Sequence, residues 1–271
     1  MHNWKVVPIS DNQRLDVRSE DLVLDGHFRV CSTYRGGGGY DLFPYIAARR
    51  GLVASPDAAS LQFVVQLFGC NLDCPYCYVT RAGVWGDFVS YTSRELVDAY
   101  LPLKTDANCN VFHLMGGAPA LQLEYWFELL DLLPADTLFH SDLMLSERDY
   151  KPETLKLLNK SNVLLAVNIK GMSSSQWLTN TRKELNEERF ERNLQCLREN
   201  LPSERWYLTF AGISQEDSDQ WLGQYGLSRQ DNYGIDLIYY EAMPLVDSVE
   251  WGRRVPSDNL KESAIMLVED R

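Results

Sequence analysis

The chain has 271 residues, 45% of them hydrophobic and 24% charged, with 17 glycines and 11 prolines. This composition suits a globular protein with length enough for a substantial core, and it excludes disorder, collagen and coiled coil. Against 26 Lys and Arg stand 38 Asp and Glu, a formal charge of -12 that repels phosphate backbones and anionic bilayers, so no nucleic acid and no membrane is expected as partner.

The start, Met1-His2-Asn3-Trp4-Lys5, lacks the basic-then-apolar pattern of an export signal, and no run of about 18 apolar residues occurs anywhere. A cytoplasmic location is the expectation. Residues 1–60 read as an irregular extension. Within it, Gly36-Gly37-Gly38-Gly39 is followed by no Lys-Ser/Thr and preceded by no clear strand, which argues for a mobile loop or lid over a phosphate cradle.

From Leu61 onward, apolar runs of strand length alternate with amphipathic stretches. Leu61 to Phe68 reads as the first strand, and Thr92-Ser93-Arg94-Glu95 is a capping box that opens a helix to about Leu101. Four more units follow: strand Asn110 to Met115 with helix Leu121 to Leu133; strand Thr137 to Leu143 with helix Pro152 to Asn159; strand Val163 to Ile169 with helix Glu187 to Glu199; strand Trp206 to Phe210 with helix Gln215 to Gln224. A sixth strand, Ile235 to Tyr240, closes the series. The pattern predicts an α/β fold of parallel strands joined by helical crossovers, a partial (β/α)6 barrel over residues 61–240, with doubly wound topology as the alternative. In either arrangement the functional face lies at the carboxyl ends of the strands. Residues 241–271 read as a short packed extension with a final helix from Leu260 to Val268.

Six cysteines occur, at 31, 70, 74, 77, 109 and 196. Three of them crowd into Gly69-Cys70-Asn71-Leu72-Asp73-Cys74-Pro75-Tyr76-Cys77-Tyr78, directly after the first strand. Clustered thiols in a reducing compartment bind metal more often than they form disulfides. The spacing C-x3-C-x2-C lets one loop wrap three corners of an iron-sulfur cube; a [4Fe-4S] cluster commonly takes four cysteines, and with no fourth nearby one iron stays open to a substrate or cofactor. The competing reading is a structural zinc site completed by a distant residue such as His113.

A second motif, His113-Leu114-Met115-Gly116-Gly117-Ala118-Pro119, ends the second strand. Glycines there allow close backbone approach to a ligand, and they would equally serve a tight strand-to-helix turn. His113 and His140 fit either a pocket lining or a satisfied core histidine. Cys109 and Cys196 read as small core hydrophobes, and Trp126, Trp177, Trp206 and Trp221 as core indoles.

The cysteine motif after a strand, with an aromatic before the third Cys, resembles that of the radical S-adenosylmethionine (SAM) superfamily, from about Leu61 to Tyr240. The resemblance implies that Cys70, Cys74 and Cys77 hold a [4Fe-4S] cluster whose unique iron is chelated by SAM. It further implies reductive cleavage of SAM to methionine and a 5'-deoxyadenosyl radical that abstracts hydrogen from a small-molecule, protein or peptide substrate. An electron donor such as flavodoxin or ferredoxin would supply the reductant. Gly116 and Gly117 look like the family's Gly-Gly-Glu-Pro segment with Ala118 in place of Glu. Tyr76, Asp142, Asn168 and Lys170 match positions that help hold SAM. Asn168-Ile169-Lys170 resembles the Asp-Leu-Lys of glycyl-radical-enzyme activases of the pyruvate formate-lyase activating type, with Asn in place of Asp. An activase acting on a partner protein is therefore an alternative, and a non-catalytic zinc or iron-sulfur protein is another. No downstream C-x2-C is present, so one cluster is expected.

Overall fold

The computed structural model describes residues 3–9, 21–35, 39–40, 43–75, 77, 79–146, 148–160, 162–211, 215–227, 235–246 and 249–255. Gly36–Gly38 of the glycine run, Tyr76 and the expected helix from Leu260 lie outside the described residues.

In chain order the strands and helices begin with β1 (Asn3–Val6), β2 (Leu22–Leu24), β3 (Phe28–Ser32), β4 (Tyr34–Arg35), β5 (Gly39–Tyr40) and α1 (Phe43–Arg49). The first half of the main sheet follows as β6 (Leu61–Gln66), α2 (Arg81–Trp85), β7 (Val89–Thr92), α3 (Ser93–Ala107), β8 (Val111–Met115), α4 (Leu123–Leu132) and β9 (Leu138–Leu143). The second half is α5 (Pro152–Leu157), β10 (Val163–Ile169), α6 (Ser174–Thr181), α7 (Glu187–Asn200), β11 (Trp206–Ala211), α8 (Gln215–Gln224), β12 (Ile235–Val246) and β13 (Val249–Val255).

One sheet of nine strands runs in the order β13-β12-β11-β10-β9-β8-β6-β3-β2. The six strands expected from the sequence are its centre. They pair in parallel and in chain order, β6 with β8, β8 with β9, β9 with β10, β10 with β11 and β11 with β12. A doubly wound sheet reverses strand order at a switch point. No reversal occurs here, so that alternative falls, and the sequential order is consistent with part of a barrel.

The extension read as irregular contributes regular structure. β3 pairs antiparallel with β6, β2 pairs with β3, and β1 forms a separate ribbon with β7. These strands are short, 4, 3 and 5 residues for β1, β2 and β3, too short for alternation alone to reveal. The sixth parallel strand also runs past Tyr240 to Val246, where it turns back antiparallel as β13. The expected tail therefore begins as a hairpin.

Side chains of the parallel strands alternate between two faces. One face meets the helices in the main core, where Phe63, Phe112, Phe139, Leu165, Leu208 and Phe210 pack with the buried indoles of Trp126, Trp177 and Trp221. The other face carries Val111, Leu138, Leu164, Ala166 and Tyr207, and it is covered by Phe43, Ile46 and Ala47 of α1. The chain's own N-terminal helix thus fills part of the inner face.

Local signals behaved as expected at the capping box. The Thr92 hydroxyl accepts from the Glu95 amide at 3.2 Å, and the Glu95 carboxylate accepts from the Thr92 amide at 2.7 Å. α3 runs beyond Leu101 through Pro102 to Ala107 and closes on Asn108 in the left-handed region, φ 53°. Buried Tyr100 holds that last turn by donating to the Cys109 carbonyl at 2.8 Å. Among the described residues no helix is long and apolar enough to cross a membrane.

Candidate functional site

The cysteine loop leaves the carboxyl end of β6. Leu72 and Val79 are buried and anchor it, while Cys70, Cys74 and Cys77 are half-buried and none is in a disulfide. A half-buried thiol is reachable by a ligand yet shielded from bulk water. The Leu72 amide donates to Cys70 Sγ at 3.4 Å, a dipole that favours negative charge on sulfur. The Cys77 amide donates to the Cys74 carbonyl at 3.0 Å, which turns the loop between its second and third thiols. At its far side the Asp73 amide donates to the Thr181 carbonyl at 3.0 Å, tying the loop to the end of α6.

The Gly116–Gly117 turn after β8 is locked to the start of this loop. Both glycines lie in the left-handed region, φ 73° and 55°. A Cβ on Gly117 would stand 2.2 Å from the Gly69 carbonyl oxygen and 2.7 Å from that of Leu67, and one on Gly116 would stand 2.5 Å from Gln66 Cγ. Ala118 completes the junction by donating its amide to the Gly69 carbonyl at 2.8 Å. What a side chain would strike is therefore the cysteine loop and its strand. Spacing cannot distinguish this cause from approach to a ligand.

The polar residues singled out from the sequence fall on neighbouring strand ends. Asp142 on β9 accepts from the Asn168 side-chain amide on β10 at 3.1 Å. Lys170 follows β10, and its carbonyl accepts from the Asn180 amide group at 2.7 Å. The segment after it, for which the sequence suggested no element, is α6, capped by Ser173, whose hydroxyl accepts from the Gln176 amide at 3.3 Å. Gly171 packs so closely on this helix that a Cβ would lie 2.4 Å from the Trp177 nitrogen. The ends of β6, β8, β9 and β10 thus bring the cysteine loop, the Gly-Gly turn, Asp142, Asn168 and Lys170 to one edge of the sheet. Tyr76 of the motif is outside the described residues.

Sequence reasoning named His113 and His140, with a satisfied core histidine as one reading, but not the polar series that they form with Gln62 and Tyr207 on the inner face. His113 Nδ1 faces Gln62 Oε1 at 2.7 Å, His113 Nε2 faces His140 Nδ1 at 3.1 Å, and His140 Nε2 faces Tyr207 Oη at 3.0 Å. Gln62 also donates from Nε2 to Cys31 Sγ at 3.5 Å. With that donation in place, the proton order follows: His113 donates to Gln62, His140 to His113, and Tyr207 to His140. Both ring nitrogens of His113 are committed inside the sheet, so it is not the fourth ligand a zinc reading requires. The missed signal is that Gln62, His113 and His140 stand at even spacing from apolar Val64, Val111 and Leu138 in their own strands, which puts them on the same face as those side chains.

The remaining thiols differ from the loop. Burial pushes the Cys109 thiol up to about 12. Burial raises Cys196 as well, with the nearby Glu199 carboxylate adding to it. Such groups stay protonated and make poor metal ligands.

Three half-buried thiols on one loop are the donor type a [4Fe-4S] cluster takes, although among the described residues no three His, Cys, Asp or Glu side chains stand close enough together to form a ready metal site. One of the sulfurs receives an amide, and an acid, an amide and a lysine lie on adjoining strand ends.

Residues 64–221 match the family model described as the radical SAM superfamily. No curated protein matches the chain. Among solved structures, the chain is similar to Streptococcus suis SuiB, 12% identical with a TM-score of 0.48 over 74% of this chain and 44% of that one. The same protein bound to S-adenosylmethionine gives 12% identity and a TM-score of 0.49 over 74% and 45%. The radical SAM methyltransferase TsrM from Kitasatospora setae, with cobalamin and a [4Fe-4S] cluster bound, gives 13% identity and 0.42 over 64% and 33%. The chain spans less than half the length of these structures.

Proposed function

The chain belongs to the radical SAM superfamily, enzymes that use a [4Fe-4S] cluster and SAM, and from that premise we propose that it abstracts a hydrogen atom from a substrate held over the carboxyl edge of its sheet. When bound, the cluster and SAM supply one-electron cleavage of the sulfonium, releasing methionine and a 5'-deoxyadenosyl radical. The protein supplies binding, orientation and exclusion of competing reactions.

Cys70, Cys74 and Cys77 ligate three irons in this reading. The observation that carries it is the seating of all three half-buried thiols on the loop leaving β6, with that loop braced by the Gly116–Gly117 turn. Gly116 and Gly117 offer backbone groups to the amino end of SAM. Lys170 pairs with its carboxylate as a charge-assisted contact. Asp142 and Asn168, bonded to each other, lie beside its ribose or methionine portion. Tyr76 adds a further contact from the loop. The activase-like reading, with a protein as hydrogen donor, rests on Asn168-Ile169-Lys170 at the end of β10.

The test is anaerobic reconstitution with iron and sulfide, followed by reduction in the presence of SAM. Iron, sulfide and brown absorbance should appear together with equal amounts of 5'-deoxyadenosine and methionine, and Cys74→Ala should abolish both colour and cleavage. Cleavage at the unaltered rate in Cys74→Ala would overturn the ligand assignment.

A further inference from the structure

Helix α6 touches the site at both of its ends. At its start Gly171 packs on Trp177 and the Met172 amide donates to Gln176 Oε1 at 2.7 Å, while Asn180 holds the Lys170 carbonyl. At its end stands Thr181, fully buried, with its hydroxyl donating to the Trp177 carbonyl at 2.8 Å. It is the Thr181 carbonyl that receives the Asp73 amide of the cysteine loop. Arg182 closes the helix, its amide on the Leu178 carbonyl, and its guanidinium lies 4.0 Å from the Asp73 carboxylate.

The backbone of Arg182 sits at φ 53°, in the left-handed region, where a helix commonly ends on glycine or asparagine. Among the described residues Asp25 and Asn108 share that region, and both are of types that tolerate it. Arginine is not, so this strained cap carries a guanidinium that glycine could not supply. What the guanidinium meets is the one carboxylate in Gly69 to Tyr78, on the residue directly before Cys74, about 3.8 Å from it between Cα atoms.

We propose that Arg182 is a positioning residue for the cluster, an inference that rests on the function proposed above. It holds the arm of the loop between Cys70 and Cys74 against α6 and offsets the Asp73 charge, so that the cluster accepts an electron more readily. Three thiolates already make the ligand set anionic, and an added electron is opposed by a carboxylate alongside and favoured by a guanidinium. The electron comes from an external low-potential one-electron donor, which loses what the cluster gains; no bond or proton changes hands. The Arg182 and Asp73 side chains are 42% and 43% exposed, so solvent screens the effect and keeps it modest.

Reconstituted protein without SAM is titrated with dithionite, and the reduced cluster is followed by electron paramagnetic resonance at controlled potential. Arg182→Gln should lower the ratio of reduced to oxidised cluster at a fixed potential about three- to tenfold, which is about 30–60 mV for a one-electron couple. Arg182→Gly, which eases the backbone while removing the guanidinium, should do the same, and Arg182→Lys should stay near the parent. Asp73→Asn should raise the ratio by a similar factor, because it removes the opposing charge and keeps the amide that Thr181 receives. A merely structural role would not give opposite signs at the two sites. Shifts of one sign at both, or no shift at one of them, would overturn the proposal. The hold on the loop is read in the metal-free protein by hydrogen exchange of the Asp73 amide, which should be about two- to fivefold faster in Arg182→Gln than in the parent or Arg182→Lys. Equal rates in all three would also overturn it. Exchange is measured whether or not a cluster forms, so a parent that takes up no iron counts against the proposed function alone.

Discussion

The His140 imidazole lies flat against the Phe43 ring, centroids 4.2 Å apart and planes within 16°, so helix α1 caps the hydrogen-bonded series on the inner face of the sheet. His140 spans the gap between His113 on β8 and Tyr207 on β11. Small Ala166, the β10 partner of both Asp142 and Tyr207, stands between them on that face. A buried polar series of this kind stabilises only while its members are satisfied.

His140→Leu removes the group that Tyr207 and His113 use within the sheet. We expect a loss of about 1–3 kcal/mol, measured by urea unfolding of the metal-free protein. Tyr207→Phe removes one donor and leaves the ring packed, so its cost should be smaller. Equal stability of His140→Leu and the parent would show that the series contributes nothing.

Gly117→Ala drives a Cβ into the Gly69 and Leu67 carbonyls in a backbone region that disfavours side chains. The cysteine loop has to shift, so bound iron and sulfide per chain should fall several-fold, with a stability loss of about 1–3 kcal/mol. Gly223→Ala is the matched control. Nothing lies within 4 Å of its added carbon and it is within α8, so it should stabilise by up to about 1 kcal/mol with normal iron content.

Asn168→Asp sets a second carboxyl at the 3.1 Å contact with Asp142. Two carboxylates at that distance do not both ionise readily, and the pair holds one proton to higher pH. SAM affinity, measured by equilibrium dialysis on the reconstituted protein, should depend on pH more steeply in the variant than in the parent. A flat profile in the variant would remove Asp142 and Asn168 from the SAM contacts.

Cys109 should be the last thiol to react with a disulfide reagent at about pH 8 in the native, metal-free protein, because burial moves it from the usual 9.0 up to about 12. The sign of the linked stability follows. Folding keeps the proton on, so the contribution is complete below about pH 9 and is lost as pH rises through about 12. Mass spectrometry of timed labelling, with unfolding at pH 8 and 10, checks both statements. Early labelling of Cys109 would contradict its burial.

Much of the fold was legible because periodicity and caps are local. Strand runs from Leu61, the Thr92 capping box and most of the helices were read within a residue or two, since each records how one element divides its side chains between core and water; α3 and β12 each run six residues past their expected ends, and α2 and α6 were not foreseen. The cysteine loop was legible for the same reason, its spacing and its strand being contiguous. Other features are joined only across long stretches of chain. Trp4 on β1, buried against Ser93 with its indole donating at 3.0 Å, pairs a four-residue strand with β7, and nothing within Asn3–Val6 specifies that partner.

By itself, then, the sequence determined the alternation of strands and helices, the single cluster of three thiols and the edge on which they would sit. Only the tertiary structure decided that the strands run in unbroken order, that α1 covers the inner face, and that Gly117 is demanded by the Gly69 carbonyl. It alone joined Gln62, His113, His140 and Tyr207 into one series. The physical reason is register: a strand's alternation says which side chains share a face, and only pairing with its neighbours says what they meet there.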